Sequence, residues 1–280
     1  MEDEPLFLIL PAAGLGKRMR SVNPHIPKEM LPVGNKPAIQ YAVEEGLSAD
    51  IKNIIIILNN QKEVIRQYFE NRRFRKGLFP LAFEDMEEVG KRCTITFLYQ
   101  KEPLGEADAI GLAEEVVGNS TSAILYPDNI YFPAPGALKV LKAAFIKYRK
   151  DTAALMEVTD ENASGLGNSG RVDLSPLEAD TFRIERFCPK SEGHFLIRFK
   201  GELRTCGISI SGPHIFNYIT RARNLVKEGE FTDVLFRNLI LKEKGMLGCL
   251  LPGTVFDVGN PKGYELCISY IKKKFQTYKV

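Results

Sequence analysis

The run LFLILPAAGLGKRMRSVNPHIPKEMLP at residues 6–32 constrains this chain more than any other segment. An apolar strand runs into a glycine turn, then into clustered cations, then into a Pro-Lys-Glu stretch. That order makes a strand–loop–helix unit suited to receiving a polyphosphate. Gly14 and Gly16 allow a tight turn and a close ligand approach that a Cβ would block. Lys17, Arg18 and Arg20 add charge where the N–H groups of a helix start already favour anions, and Lys28 adds a further ammonium. The two common phosphate loops do not fit. A dinucleotide fingerprint needs a third glycine where Met19 stands, and an acidic residue where the second strand runs into Asn59 and Asn60. A P-loop needs glycine at Pro11 and Ser or Thr at Arg18. This is a phosphate loop of another kind.

The rest of the first half alternates strand and helix. IKNIIIIL, TITFLYQ, SAILYPD and TAALMEVT read as strands. Helices fall at about 37–47, in QKEVIRQYFE, in EADAIGLAEEVV and over about 136–150. Strands apolar on both faces and separated by helices predict a mostly parallel, doubly covered sheet, the Rossmann-like three-layer α/β/α class. From Asn162 the pattern changes to NASGLGNSG, a flexible turn, followed by short strands in RVDL, FRIERF and HFLIRF. These read as an antiparallel extension of the same domain. GISISG rejoins the core, two helical stretches follow, and a basic amphipathic helix ends the chain. The expectation is one domain over 1–280, with a phosphate-binding half over 1–160 and a second half over 161–280.

A hydrophobic content of 44% and a charged content of 26% suit a globular protein with a sizeable core, and a net charge of +3 is too small to imply nucleic acid by itself. No apolar run reaches membrane-spanning length, and the acidic MEDEP start does not read as a secretion signal. The five cysteines form no C-x-x-C pair, so a reducing, cytoplasmic setting is expected over a disulfide framework or a zinc site. His25, His194 and His214 are scattered without ligand spacing. The basic runs RRFRKG and IKKKF read as solvated helix ends rather than nucleic-acid or membrane contacts.

AAGLGKRM followed by IPKEMLPVGNKPAIQYAVEE resembles the signature region of UTP–glucose-1-phosphate uridylyltransferases, within the sugar-1-phosphate nucleotidyltransferase superfamily. The likeness continues in order through YQKEPLGEADA, YPDNI, the strands after Asn162, FTDVL and VFDVGNPKGYELC. It implies attack of a sugar phosphate oxygen on the α-phosphorus of a nucleoside triphosphate, with pyrophosphate leaving. Such chemistry asks for two anions held in line, for cations aimed at the phosphates, and for Mg²⁺, which takes one or two carboxylates plus phosphates and waters.

Asp128 ends a buried strand, where open α/β sheets bind ligands, although Pro-Asp-Asn also makes an ordinary turn. The resemblance reads Asp128 as a metal ligand and Asp257 as its partner; the plain alternative for Asp257 is a cap before the last helix. It puts Arg18 and Lys28 on the triphosphate. It puts the nucleotide on Gly16 and its base on the loop backbone at Ala12, Ala13 and Gly14, and on Gln100 and Gly105, since an amide that both donates and accepts suits the imide edge of uracil or thymine. On the sugar side of the antiparallel extension it implies Gly170, Glu185 and Gly207. Arg186 stands there where a lysine is usual, with Lys190 as its alternative one local slip away.

Four departures stand out. Lys17 replaces a usual Thr, Arg186 and Phe187 replace Lys-Pro, Asn129 replaces an apolar residue, and the chain is shorter after Asp257. The expected partners are UTP, or dTTP, and a sugar 1-phosphate, in a protein that forms a homo-oligomer. Two readings compete with catalysis, a nucleotide-sugar sensor on the same scaffold and an RNA binder resting on the basic runs.

Overall fold

Nine strands share one sheet in the computed structural model, which describes residues 4–226 and 228–277. The first three residues, on which the reading against a secretion signal partly rests, lie outside the described residues. The strands are β1 (Phe7–Pro11), β2 (Asn53–Leu58), β3 (Thr94–Tyr99), β4 (Ser122–Leu125), β5 (Asp151–Glu157), β6 (Val172–Glu178), β7 (Thr181–Phe187), β8 (Leu203–Ser211) and β9 (Met246–Leu250). Across the sheet their order is β3-β2-β1-β4-β8-β5-β9-β7-β6. The first four are mutually parallel, and β8 runs against both of its neighbours. β9 is parallel to β5, and β7 and β6 complete the edge antiparallel.

The two-residue period of a strand explains the layering. Leu8 and Leu10 of β1 join Ile54, Ile56 and Leu58 of β2 in one core cluster, while Ile9, Ile55 and Ile57 join another on the opposite face. A sheet apolar on both faces must be covered on both. Helices Ala38–Ser48, Glu63–Glu70 and Ala137–Tyr148 cover the first face through Ile39, Val43, Ile65, Tyr68, Leu138 and Leu141. Helices Glu106–Gly111, Ile215–Arg223 and Asp233–Lys244 cover the second through Ile110, Phe216, Ile219, Phe236 and Ile240. Each such side chain taken fully out of water contributes about 1.5–3 kcal/mol. A third, smaller cluster of Val33, Ile130, Phe256, Val258, Cys267 and Ile271 seats the last helix, Pro261–Thr277. No described helix is long and apolar enough to cross a membrane.

Several local expectations differ from what is observed. The phosphate loop enters a single 3-10 turn, Lys17–Ser21, because Gly16 takes φ 60° and breaks any α-helical start. HFLIRF forms no strand; its only ladder contact is an isolated bridge between Gly167 and His194, and Leu196 and Phe199 are exposed. The antiparallel extension is the edge of the main sheet, because β7 pairs directly with β9. That strand, MLGCL, carries a weak strand signal because glycine interrupts its apolar run. RRFRKG is itself helical, as Arg72–Leu78, and Arg75 is buried with Nη1 donating to the carbonyls of Tyr68 (2.8 Å) and Phe69 (2.9 Å). It closes off the preceding helix end.

Ile56 lies at the centre of β2 with no exposed surface. Ile56→Ala is expected to cost about 2–5 kcal/mol. Urea unfolding would show this as a lower midpoint with an unchanged slope.

Candidate active site

The loop after β1 is tied back by its carbonyls. Ala12 and Ala13 are buried, Lys62 donates to the Ala12 carbonyl at 2.6 Å, and Asn59 donates to the Ala13 carbonyl at 2.5 Å. A Cβ on Gly14 would meet nothing within 4 Å, so the surrounding protein does not require glycine there; the residue lines the open cleft. Beneath the loop, Glu29 is buried and takes Lys62 Nζ on both carboxylate oxygens at 2.8 Å. Burial pulls the Lys62 pKa down while Glu29 opposes it. This buried pair fixes the 3-10 turn Lys28–Met30, and so aims Lys28 at Asp128, 2.5 Å away.

Asp128 and Asp257 meet because their chain segments pair. Asn129–Phe132 and Thr254–Asp257 form an antiparallel ribbon in which Asn129 faces Asp257, and the Val258 N–H donates to the Asp128 carbonyl at 2.8 Å. Both aspartates are buried. Burial works to raise the Asp128 pKa, but Lys28 and then Arg18 hold it below the ordinary value. Burial and the facing Asp128 charge push Asp257 up, although the N–H groups of Gly167 (3.2 Å) and Gly259 (3.1 Å) donate to it. A Cβ on Gly259 would stand 2.2 Å from Asp128 Oδ2 and 3.2 Å from Asp257 Oδ1. The two carboxylates therefore converge over a cradle that only glycine leaves free. Two buried carboxylates with an open side suit a divalent cation that completes its shell with phosphate oxygens and water. Arg18 reaches the same place, since a Cβ on Gly167 would lie 2.9 Å from its Nη1.

At the other end of the cleft, Gln100 is buried and its amide N–H bonds go to the Gly105 carbonyl (3.0 Å) and to Asp108 (2.7 Å). The expected donor-and-acceptor use of this amide is thereby corrected. Its donors are engaged within the protein, and the carboxamide oxygen is the group left for a ligand. Gly105 has φ 113°, and a Cβ there would lie 2.5 Å from the Phe231 carbonyl oxygen, so its glycine is required by a main-chain crossing.

The second wall differs most from the sequence reading. Arg186 and Glu185 do not reach the cleft. Arg186 is 64% exposed and pairs with Asp173 at 2.8 Å, while Glu185 is exposed and accepts from Ser175 at 2.5 Å. The cause is an irregularity in the pairing of β7 with β6 between Ile184 and Arg186, which puts Phe187, and not its predecessors, in the cleft wall. Lys190 is the cation that does line the cleft. It pairs with Glu106 and, at 3.0 Å, with Asp233. Asp233 also accepts from Tyr126 Oη and from Arg237 Nε, both at 3.0 Å. Burial works to raise the Asp233 pKa, but Lys190 and Arg237 hold it well below the usual range; Glu106 is pushed up by burial. Gly170 and Gly207 line the cleft as expected, both at positive φ and both packed against neighbours a Cβ would strike.

Sequence reading passed over Glu29, Lys62, Glu106, Tyr126, Arg204 and Arg237. For Arg204 a signal existed, an arginine in step with Cys206, Ile208 and Ile210 along one apolar strand. Arg237 follows Asp233 by four residues on one helix, a spacing that suggests an ion pair but not a cleft; the remaining pairings span 28 to 127 residues of chain, which no local pattern reveals.

The cleft encloses about 430 Å³. With a glycine phosphate loop at the carboxyl ends of parallel strands and a convergent carboxylate pair across from it, this is the architecture of a phosphoryl-centre transferase. The family model described as Nucleotidyl transferase matches residues 7–273, and the chain belongs to that family. The UTP–glucose-1-phosphate uridylyltransferase of Mycoplasma genitalium is 32% identical, over 91% of this chain and 88% of its own. The protein of that name in Bacillus subtilis is 29% identical, over 91% and 85%. A crystal structure of UDP-glucose pyrophosphorylase complexed with UDP-glucose superposes with a TM-score of 0.81 at 25% identity, covering 96% of this chain and 99% of the other.

Two outcomes follow from these buried pairs. Lys62→Met strands the Glu29 carboxylate and is expected to cost about 3–5 kcal/mol. Adding Glu29→Gln should recover part of that loss in a double-mutant cycle read by chemical denaturation. Asp233 has a lowered folded pKa, so its contribution is present above the ordinary value of 3.8 and is lost as pH falls through the folded value. Asp233→Asn should therefore flatten the acid limb of a Tm-against-pH curve.

Proposed function

We propose that this protein transfers a uridylyl group from UTP to glucose 1-phosphate or a close sugar 1-phosphate, releasing pyrophosphate. The observation that carries the reading is the convergence of Asp128 and Asp257 over Gly259, with Lys28 and Arg18 beside them at the mouth of the phosphate loop. Relatives that bear the uridylyltransferase name across nearly their whole length support it.

In this reading the triphosphate lies along Gly14, Gly16 and Lys17, with Arg18 and Lys28 drawing charge toward the departing pyrophosphate. Lys28 is kept protonated, because Asp128 and Glu29 outweigh the effect of burial on its pKa. It therefore enters the reaction as a cation. Mg²⁺ held by Asp128 and Asp257 would supply further charge neutralisation at the reacting phosphates. The Gln100 carboxamide oxygen accepts the imide N–H of the base. Uracil and thymine share that edge, and a methyl difference is worth only about 1–3 kcal/mol, so dTTP is the natural competing donor. The chain's own contribution is to hold both anions in line within a cleft whose cations are already fixed.

The test is pyrophosphate release with Mg²⁺ and glucose 1-phosphate, run in parallel with UTP, dTTP, CTP, ATP and GTP. UTP should lead. Asp128→Asn and Asp257→Asn should each lower kcat about a thousandfold, since several kcal/mol of charge stabilisation is removed. Near-normal turnover in either folded variant would refute the metal assignment, and silence with every triphosphate would refute the activity.

A further inference from the structure

Arg204 lies in the cleft wall with no role in the reaction described so far. It is 4% exposed, yet it lines the cleft. Its Nε donates to the Thr205 carbonyl at 3.0 Å and its Nη1 to the Gly167 carbonyl at 3.2 Å. Nη2 makes no hydrogen bond among the described residues, and a Cβ on Gly170 would stand 3.1 Å from it. The Phe195 ring, 5.4 Å from the guanidinium carbon, holds the group from behind.

The other cations of the cleft are accounted for. Lys28 pairs with Asp128, Arg171 with Glu202, Lys190 with Glu106 and Asp233, and Arg237 with Asp233. Lys17 and Arg18 are exposed to water. Among the described residues of the cleft, Arg204 is the one cation that is both buried and without a carboxylate in salt-bridge range. A guanidinium keeps its charge; Asp257 favours that charge but stands outside salt-bridge range, so the buried group is only partly compensated until an anion joins it. Its two carbonyl bonds already fix the plane, so little ordering remains when a ligand arrives.

We infer that Arg204 is an acceptor-binding residue whose Nη2 takes an anionic oxygen of the acceptor, on its 1-phosphate or on a carboxylate carried by the sugar. This rests on the nucleotidyl-transfer reading. The triphosphate end already has Lys17, Arg18 and Lys28, whereas Arg204 belongs to β8 and stands against Gly167 and Gly170. On that wall Arg186 faces solvent and Lys190 is neutralised by two carboxylates, so Arg204 is the cation left to meet the acceptor.

The experiment compares wild type with Arg204→Gln and Arg204→Lys, using glucose 1-phosphate and a hexuronic acid 1-phosphate as acceptors. Thermal melts confirm that each variant folds. Loss of a hydrogen bond to a charged group should raise the acceptor KM about 10- to 100-fold in Arg204→Gln, with the UTP KM nearly unchanged and partial recovery in Arg204→Lys. Equal loss for both acceptors assigns the contact to the 1-phosphate. A loss confined to the uronic acid assigns it to the carboxylate. Calorimetric titration of each sugar phosphate reads the same change without turnover. Unchanged acceptor affinity in the folded variant, or a shift only in Mg²⁺ dependence, overturns the Arg204 assignment. A wild type that turns over no triphosphate overturns the activity itself and leaves the calorimetric comparison to judge Arg204.

Discussion

The ribbon that pairs Asn129–Phe132 with Thr254–Asp257 is the contact on which the site depends. It joins residues more than a hundred positions apart and brings two buried carboxylates to one glycine. Like charges so placed raise each other's cost of ionisation, and the strain is visible in the opposed pKa shifts of Asp128 and Asp257. Main-chain N–H groups, Lys28, Arg18 and Arg204 relieve part of it. A divalent cation would relieve the rest, so the fold itself holds an electrostatic demand that such an ion would meet.

The remaining charges of the cleft follow one design. Glu29 with Lys62, and Lys190 with Glu106, Asp233 and Arg237, are ion pairs whose desolvation consumes much of their attraction. Their value lies in position. The first pair sets the turn that presents Lys28; the second group closes one wall and anchors helix Asp233–Lys244 to helix Glu106–Gly111. Arg204 breaks this pattern, since its hydrogen bonds go to carbonyl oxygens, the compensating charge of Asp257 stands outside salt-bridge range, and Nη2 makes no hydrogen bond among the described residues. A fold that pairs its other buried cleft cations with carboxylates in contact leaves this one open to the proposed acceptor.

What the chain's own text made legible was local. β1 and β2 show their apolarity on both faces, the helices between strands show their 3.6-residue period, and Gly16 before Lys17 and Arg18 shows a turn with cations at its exit. These follow from side-chain chemistry acting over a few residues, so the Rossmann-like layering and the loop could be read directly. Asp128, at the end of a buried strand, belongs to the same class of signal.

Tertiary structure alone decided the rest. Whether Arg186 or Lys190 turned into the cleft depended on a pairing irregularity between β6 and β7, and one residue of register exchanges the two faces of a strand. Whether Gln100 donated or accepted depended on Asp108 and Gly105 taking its hydrogens first. Whether Arg204 met a carboxylate or a carbonyl depended on which segments crossed beside it. The sequence determined most of the elements and where the glycine turn and its cations sit, because those are near-neighbour effects. The assignment of charges to partners was left to the fold, because electrostatic and hydrogen-bond pairing acts through space between segments that the chain itself keeps far apart.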